Sequence, residues 1–242
     1  MNNNYLKKRG ITSPWQVSPI PNRKFNQIII VPSYGEFKDL PKMLSSLEKN
    51  DQILLDNTLV IIVVNNPKDA NDLLKNDNKK TLHLLYSLKY SFSLGIVDAT
   101  TSGLALPPQF AGVGMARKIG MDLALPFLKN KRSLLLCTDA DTTLDCNYLK
   151  TILNYFNKYN ANAAVVGFQH SISKNKHLES AIREYEKFLL STAKKIKGTG
   201  SPYGYVSMGS TMICTAEAYM SIGGMPKKKA TEDFYFLQEL AK

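Results

Sequence analysis

Residues 133–142 read SLLLCTDADT, an apolar run that ends in two acids, Asp139 and Asp141. A short apolar run followed by a polar turn predicts a buried strand. If the end of the strand stays extended, residues two apart point to the same side, so the two carboxylates lie close together on one side of the strand. Carboxylates this close repel unless a cation lies between them, and oxygen ligands suit Mg²⁺ or Mn²⁺. The stretch therefore predicts a metal site at a strand end, the alternative being a polar turn that caps the next helix.

Two further apolar runs, 27–31 and 59–64, also predict fully buried strands. Continuous apolar strands that alternate with helical segments indicate an α/β fold with a mostly parallel central sheet and helices on both faces. Open sheets of this kind bind ligands at the carboxyl ends of their strands. Further strands are predicted at 82–85, 163–168 and 207–214, a long loop at 90–111, and helices at 36–49, 112–128, 146–159 and 178–196 and from about 231.

The chain of 242 residues is 44% hydrophobic and 21% charged, which excludes disorder and coiled coil as overall descriptions. Residues 1–26 carry three prolines and no hydrophobic period, so they are predicted to form an irregular N-terminal arm. No linker is visible beyond them. Residues 27–242 are therefore predicted to form a single domain.

The net charge of +11 favours an anionic partner, although lysine and asparagine are abundant throughout and a compositional bias is the better explanation of the total. The three cysteines form neither a disulfide framework nor a zinc motif. The N-terminus lacks the apolar segment of a signal peptide. We expect a cytoplasmic protein, with the inner membrane surface as one compatible location.

Three other segments combine chemistry-bearing residues with a structural boundary. Arg117 follows Gly112 and Gly114 in the first turns of a predicted helix, where the helix dipole disfavours cations. An anionic ligand would offset that cost. The alternative is a glycine-rich helix start with solvated charges.

The segments 31–36 and 231–233 each allow a functional and a purely structural interpretation. Tyr34 and Glu36 follow a buried strand and could contact a flat base and a ribose, or simply form a strand-to-helix turn. Glu232 and Asp233 could supply a general base on a closing loop, or only the acidic first turn of a helix.

Taken together, the segments resemble the family 2 glycosyltransferases and their relatives with the GT-A fold. The resemblance is carried by four segments in the family's order, IIIVPSYGE, GVGMARKIGMDLAL, LLLCTDADT and GSTMICTAEAYMSIGGMPKKKATEDFYF. It covers about residues 27–240. It implies a single GT-A-like, Rossmann-related catalytic domain at 27–242.

The resemblance also implies a role for each matching residue. The nucleotide would be bound by Pro32, Tyr34, Glu36, Asn65, Arg117 and Asp139. The metal, Mn²⁺ or Mg²⁺, would be bound by Asp139 and Asp141. Catalysis would depend on Glu232 and on Asp233, with Asp233 as the base. Asn65 stands where the family usually has an aspartate that reads the base. The implied activity is a hexosyltransferase-like, metal-dependent, inverting transfer from a UDP- or GDP-sugar to a glycan, lipid or small-molecule acceptor, with peripheral membrane association compatible.

The sequence is compatible with two other functions. Asp139 and Asp141 also fit the nucleophile motif of haloacid-dehalogenase-like phosphatases, although that motif normally ends the first strand. A non-catalytic nucleotide- or nucleic-acid-binding protein is the other reading. Because no stripe of basic and aromatic residues is visible, nucleic acid is not expected as a partner.

Overall fold

One mixed sheet organises the computed structural model, which describes residues 3–228 and 230–242. Its strands lie in the order β3-β2-β1-β4-β6-β5. β1, β2, β3 and β4 are parallel, whereas β6 runs antiparallel to β4 and to β5. The strands are β1 (Gln27–Ser33), β2 (Thr58–Asn65), β3 (Ser93–Ala99), β4 (Leu134–Cys137), β5 (Ala163–Val165) and β6 (Met212–Thr215). The predicted α/β class with a mostly parallel sheet is confirmed.

Helices cover both faces of this sheet. They are α1 (Asn3–Arg9), α2 (Leu40–Leu47), α3 (Gln52–Asp56), α4 (Asp72–Ser87), α5 (Val113–Ala124), α6 (Tyr148–Tyr159), α7 (Lys176–Gly198), α8 (Ala216–Ser221) and α9 (Glu232–Leu240). Side chains of α1, α5, α8 and α9 join one core cluster, and those of α2, α3, α4 and α6 join the other. None of the helices in the described ranges combines the length and hydropathy that crossing a membrane requires.

The strand sequences divide their side chains between these two cores. Ile28 and Ile30 belong to the first core and Ile29 and Val31 to the second, and all four are fully buried. Successive residues of a strand point to opposite faces, so a strand between two helix layers must be apolar throughout. This requirement explains why β1 and β2 read as unbroken apolar runs.

A glycine brings α5 close to the sheet. A Cβ at Gly120 would lie 2.6 Å from Cγ2 of Ile30 and 3.0 Å from Cγ2 of Val63. Such contacts are too short for carbon atoms, so the position requires glycine. The close packing places the N-terminal half of α5, including Arg117, over the centre of the sheet.

The third strand differs from the prediction. Residues 82–85, predicted as a strand, lie in the last turns of α4, and the strand is β3, within the predicted loop 90–111. Buried positions of α4 at Asn78, Thr81 and Leu85 have helical spacing, which the short apolar run concealed. The connection after β3 is correspondingly shorter, from residue 100 to 112.

The N-terminal 26 residues are more ordered than the predicted irregular arm. They contain α1 and then pair with the free edge of β3, where Ser18 and Ile96 exchange two backbone hydrogen bonds of 2.8 Å. A Cβ at Gly95 would lie 2.5 Å from Cγ1 of Val17, so glycine lets the arm approach the strand. The arm thus covers a sheet edge that would otherwise be exposed.

Candidate active site

A cavity of about 400 Å³ lies at the carboxyl ends of β1, β2 and β4. It is lined by Pro32, Tyr34, Glu36, Asn65, Pro67, Ala111, Gly112, Val113, Asp139, Ala140 and Asp141. The structure therefore brings together every residue predicted to bind nucleotide or metal except Arg117. Glu232 and Asp233 lie outside the residues that line this cavity.

Asn78, which the sequence analysis missed, holds the turns on two sides of the cavity. It is fully buried on α4 and accepts a hydrogen bond from the N–H of Gly35 at 3.0 Å. Its Nδ2 donates to the carbonyl of Asn65 and to Oδ1 of Asn66, both at 3.0 Å. Gly35 has a φ of +74°, a conformation that favours glycine. A buried amide at a core position of a helix was the available signal.

The connection after β3 forms another wall of the cavity. Leu106 donates its N–H to the carbonyl of Asn66 at 2.9 Å and accepts from the N–H of Lys68 at 3.0 Å. These bonds tie the loop to the end of β2. The loop then leads into Ala111 and Gly112, which line the cavity beside the start of α5.

Acidic groups concentrate negative charge in the cavity. Burial raises the pKa of Glu36, and the charges of Asp141, Asp39, Asp77 and Asp139 raise it further. A divalent cation would relieve this repulsion. Within the described residues, no three His, Cys, Asp or Glu side chains form a metal-binding group. Two carboxylates nevertheless fit a Mg²⁺-type site, because such sites take their remaining ligands from substrate phosphates and water.

Arg117 is buried beneath the cavity and does not line it. Its guanidinium forms ion pairs with Asp139 and Glu232, and its side chain is 3% exposed. Burial acts to lower the pKa of Arg117, but the nearby carboxylates, Asp139 foremost, raise it overall. The guanidinium keeps donors that these two carboxylates do not use, so a direct contact with a diphosphate would require Arg117 to become accessible from the cavity.

A glycine makes room for the Arg117 guanidinium. Gly209 lies in a single 3₁₀ turn before β6, and a Cβ there would collide with the guanidinium nitrogens. The backbone of this turn therefore forms one wall of the buried site around Arg117. Gly209 was not predicted from the sequence, because its role depends on a contact with Arg117, 92 residues away in the chain.

Three of the buried polar atoms that have no hydrogen-bond partner in the described structure lie at the same sheet edge. They are Oγ of Ser33, Oδ1 of Asn65 and Oγ1 of Thr138, at or just after the ends of β1, β2 and β4. Nε of Arg117 is also without a partner there. Buried polar groups are normally hydrogen-bonded, so these atoms need an explanation. A polar ligand bound in the cavity would provide a partner for Asn65, which lines it.

Glu232 and Asp233 begin α9 in different environments. Glu232 is 3% exposed and paired with Arg117, whereas Asp233 is half-buried and accepts the N–H of Phe234 at 2.7 Å. Burial raises the pKa of Glu232, the charge of Arg117 opposes this effect, and the charge of Asp233 adds to it. The hydroxyl of Thr231 donates to the Ala230 carbonyl, and the Thr231 side chain makes no capping hydrogen bond to α9.

No protein-family model and no curated protein matches the chain. Solved structures do match it. The crystal structure of S. aureus TarS 1–349 is 17% identical with a TM-score of 0.54 over 89% of this chain and 55% of that one. TarS 1–349 in complex with UDP is 18% identical with a TM-score of 0.55, over 89% of this chain and 54% of that one.

A mannosyltransferase structure is also similar to this chain. Mannosyltransferase PcManGT from Pyrobaculum calidifontis, in complex with GDP-Man and Mn²⁺, is 16% identical with a TM-score of 0.53. It matches 98% of this chain and 56% of its own. The chain thus spans about half the length of these structures. At such identities the likeness concerns the fold, and the fold implied by the resemblance to glycosyltransferases is confirmed: this chain shares the α/β fold of TarS and of PcManGT.

Proposed function

We propose that the chain is a glycosyltransferase that transfers a sugar from a UDP- or GDP-sugar to an acceptor hydroxyl, with Mn²⁺ or Mg²⁺ as cofactor. The observation that carries the proposal is the cavity at the sheet edge. One cavity contains Pro32, Tyr34, Glu36, Asn65, Asp139 and Asp141, the residues that the resemblance assigns to the nucleotide and the metal. The solved structures that share the fold add support, since they contain UDP, UDP-GlcNAc or GDP-Man.

The nucleoside would occupy the side of the cavity next to β1 and β2. Tyr34 is 51% exposed, so its ring is available to stack on a base. Oδ1 of Asn65 can accept a hydrogen bond from a ring N–H of uracil or guanine, and it has no partner in the described structure. Glu36 would accept from ribose or base. Asn65 does not by itself select between the two bases.

The diphosphate would lie next to Asp139 and Asp141. These carboxylates would hold the divalent metal, which supplies Lewis-acid stabilisation of the departing diphosphate. Asp139 also pairs with Arg117, whose second partner is Glu232. Arg117 would therefore act as a positioning residue that connects the metal side of the site to the start of α9.

The acceptor hydroxyl would lose its proton to Asp233. Glu232 is engaged by Arg117 and buried, whereas Asp233 is more accessible, and the two side chains diverge by about 100° around the helix. This difference supports Asp233 as base and Glu232 as the residue that orients the site. Attack by the deprotonated hydroxyl opposite the diphosphate would invert the anomeric centre.

A panel of nucleotide sugars tests the proposal. The chain is incubated with UDP- and GDP-sugars in Mn²⁺ or in EDTA, and thermal stability and nucleoside diphosphate release are measured. We expect sugars of one nucleotide class to raise the melting temperature by mass action in Mn²⁺ but not in EDTA. The same nucleotide sugars should release nucleoside diphosphate. Asp145→Asn, beyond the cavity, is the control for variants of Asp139 and Asp141.

Two outcomes would contradict the proposal. Release of phosphate from simple phosphoesters, without release of nucleoside diphosphate, would favour the phosphatase reading. Stabilisation by a nucleotide sugar without any turnover would indicate a protein that binds nucleotides but does not transfer sugars.

A further inference from the structure

A second cavity, outside the donor site, gathers positive charge from three parts of the chain. Its volume is about 400 Å³, and it lies between α1, α5, α9 and the turn at Gly223 and Gly224. Its lining includes four cationic side chains, Lys8, Arg9, Lys118 and Lys227, and one acidic side chain, Glu239. We call this site the basic pocket.

Lys118 forms the buried end of the basic pocket. Its side chain is nearly inaccessible, and Nζ contacts Oδ2 of Asp122 at 3.0 Å and the hydroxyl of Tyr5 at 3.2 Å. An ammonium group carries three donors, and these contacts use two of them. Asp122 also accepts from Tyr5, Tyr219 and the N–H of Ile11, so its own capacity is filled.

Two glycines allow α1 to close the basic pocket. Gly223 and Gly224 have φ values of +86° and +80°, in the left-handed region. A Cβ at Gly223 would lie 2.6 Å from a guanidinium nitrogen of Arg9, and one at Gly224 would collide with the hydroxyl of Tyr5. Both the backbone conformation and the close approach therefore require glycine.

The cations of the basic pocket repel one another. Burial lowers the pKa of Lys118, Asp122 opposes that effect, and the positive charges of Lys227 and Arg9 lower the pKa further. Among the ion pairs of the described residues, Arg9 and Lys227 take part in none. An anion between these groups would remove the repulsion and provide acceptors for their donors.

We propose that the basic pocket binds a phosphate group through Arg9, Lys118 and Lys227. The bound group would connect α1, α5 and the segment that follows the Gly223–Gly224 turn, beside α9. A phosphorylated small molecule and a phospholipid headgroup present the same chemistry. The pocket is separate from the donor cavity, with which it shares no lining residue.

Inorganic phosphate in EDTA tests the proposal, since EDTA suppresses metal-dependent binding at the donor site. Thermal shift and calorimetry are compared for the unaltered chain, Arg9→Gln/Lys227→Gln, and the control Lys49→Gln/Lys89→Gln. The control removes the same charge from exposed positions away from the pocket. At ten times its Kd, phosphate should raise the melting temperature of the unaltered chain and the control by roughly 3–6 °C.

In the pocket variant we expect phosphate affinity to fall at least about tenfold, because charge-assisted hydrogen bonds are lost. Vesicles of phosphatidic acid are then used to find the source of the phosphate. If they retain the unaltered chain and the control but not the pocket variant, the source is a lipid headgroup. Binding of soluble phosphate without vesicle retention would identify a small molecule. An absence of phosphate binding by the unaltered chain, or equal binding by the pocket variant, would overturn the proposal.

Discussion

Glu232 and Asp233 show how two adjacent acids acquire different chemistry. Glu232 is buried against Arg117, and Asp233 is the more accessible of the two. A general base must reach the proton it removes, and a carboxylate held in a buried ion pair is less able to do so. We therefore propose that Asp233 accepts the proton and that Glu232 positions the site.

Asp233→Asn should retain donor affinity and lose roughly 10²–10⁴-fold in transfer rate, because the amide cannot accept the proton. Glu232→Gln should weaken the positioning of Arg117 and have a smaller effect on rate. Donor binding by calorimetry and single-turnover transfer are compared in the two variants. A normal rate in Asp233→Asn together with an inactive Glu232→Gln would reverse the two roles.

Glu232 should also make stability depend on pH. Its pKa in the folded chain is raised above the ordinary value of 4.5, mainly by burial. The folded state thus binds this proton more tightly than the unfolded state does, so the stabilisation is fully present below the unfolded pKa and is lost as pH rises through the folded pKa. The unfolding free energy of the unaltered chain, relative to Glu232→Gln, should fall as the pH rises from about 4.5 through the folded-state pKa of Glu232.

Urea unfolding of both proteins at several pH values measures this difference. Glutamine does not titrate, so Glu232→Gln serves as the reference for the unaltered chain at each pH. A difference that rises with pH would mean that attraction to Arg117 outweighs burial, contrary to the raised pKa of Glu232.

At the scale of elements, the turn at Gly209 and helix α5 meet at Arg117. Gly209→Ala should push the guanidinium away from Asp139 and Glu232 and reduce the unfolding free energy by about 1–3 kcal/mol, since extra atoms strain a packed interior. Gly167→Ala is the matched control, because a Cβ at Gly167 meets no atom within 4 Å. It should change stability by less than about 0.5 kcal/mol. Equal urea midpoints for the two variants would contradict the packing described here.

The sheet was predictable from sequence where strands are buried on both faces. β1, β2 and β4 are unbroken apolar runs because both sides of each strand meet helices. β3 lacks such a run because Gly95 accommodates Val17 of the arm, so its signal depends on a contact across 78 residues. A short apolar run in α4 was mistaken for that strand, since runs of this length do not separate helix from strand.

Sequence patterns picked out charged and aromatic residues that line the candidate cavity, but not the residues that support it. Asp139 and Asp141 were visible because paired acids after an apolar strand are unusual. Asn78 forms hydrogen bonds to the turns that follow β1 and β2, and Gly209 leaves room for the Arg117 guanidinium. Both roles depend on residues distant in the chain, which a local sequence pattern does not reveal. The pairing of Arg117 with both Asp139 and Glu232 likewise became visible only when α5, β4 and α9 were brought together.

At the scale of the whole molecule, a buried hydrogen-bond network joins the N-terminal arm to the helices that cover the sheet. Tyr5 on α1 donates to Asp122 of α5 at 2.8 Å, and Tyr219 of α8 donates to the same oxygen at 2.7 Å. Burial raises the pKa of Tyr5, and the charge of Asp122 raises it further, so the phenol stays protonated as a donor. The boundary predicted at residue 26 is therefore crossed by a buried hydrogen-bond network, and the division into arm and domain stays a prediction.

Tyr5→Phe should lower the unfolding free energy by about 1.5–3 kcal/mol, the range for a hydrogen bond to a charged group. Tyr86→Phe, at a side chain that is 57% exposed, is the control and should have little effect. Circular dichroism followed through urea unfolding should show one transition in both variants, with only the Tyr5 midpoint lowered. Loss of the arm in a separate transition at low urea would mean that α1 folds independently of the sheet.

The central claim is that Asp139 and Asp141 make nucleotide binding dependent on a divalent metal. Calorimetric titration of UDP and GDP, in Mn²⁺ and in EDTA, tests it in the unaltered chain, Asp141→Asn and the control Asp145→Asn. We predict that Mn²⁺ strengthens binding of one nucleotide at least about tenfold in the unaltered chain and the control, and has no effect in Asp141→Asn. Equal enhancement by Mn²⁺ in Asp141→Asn, with the fold intact, would contradict the account.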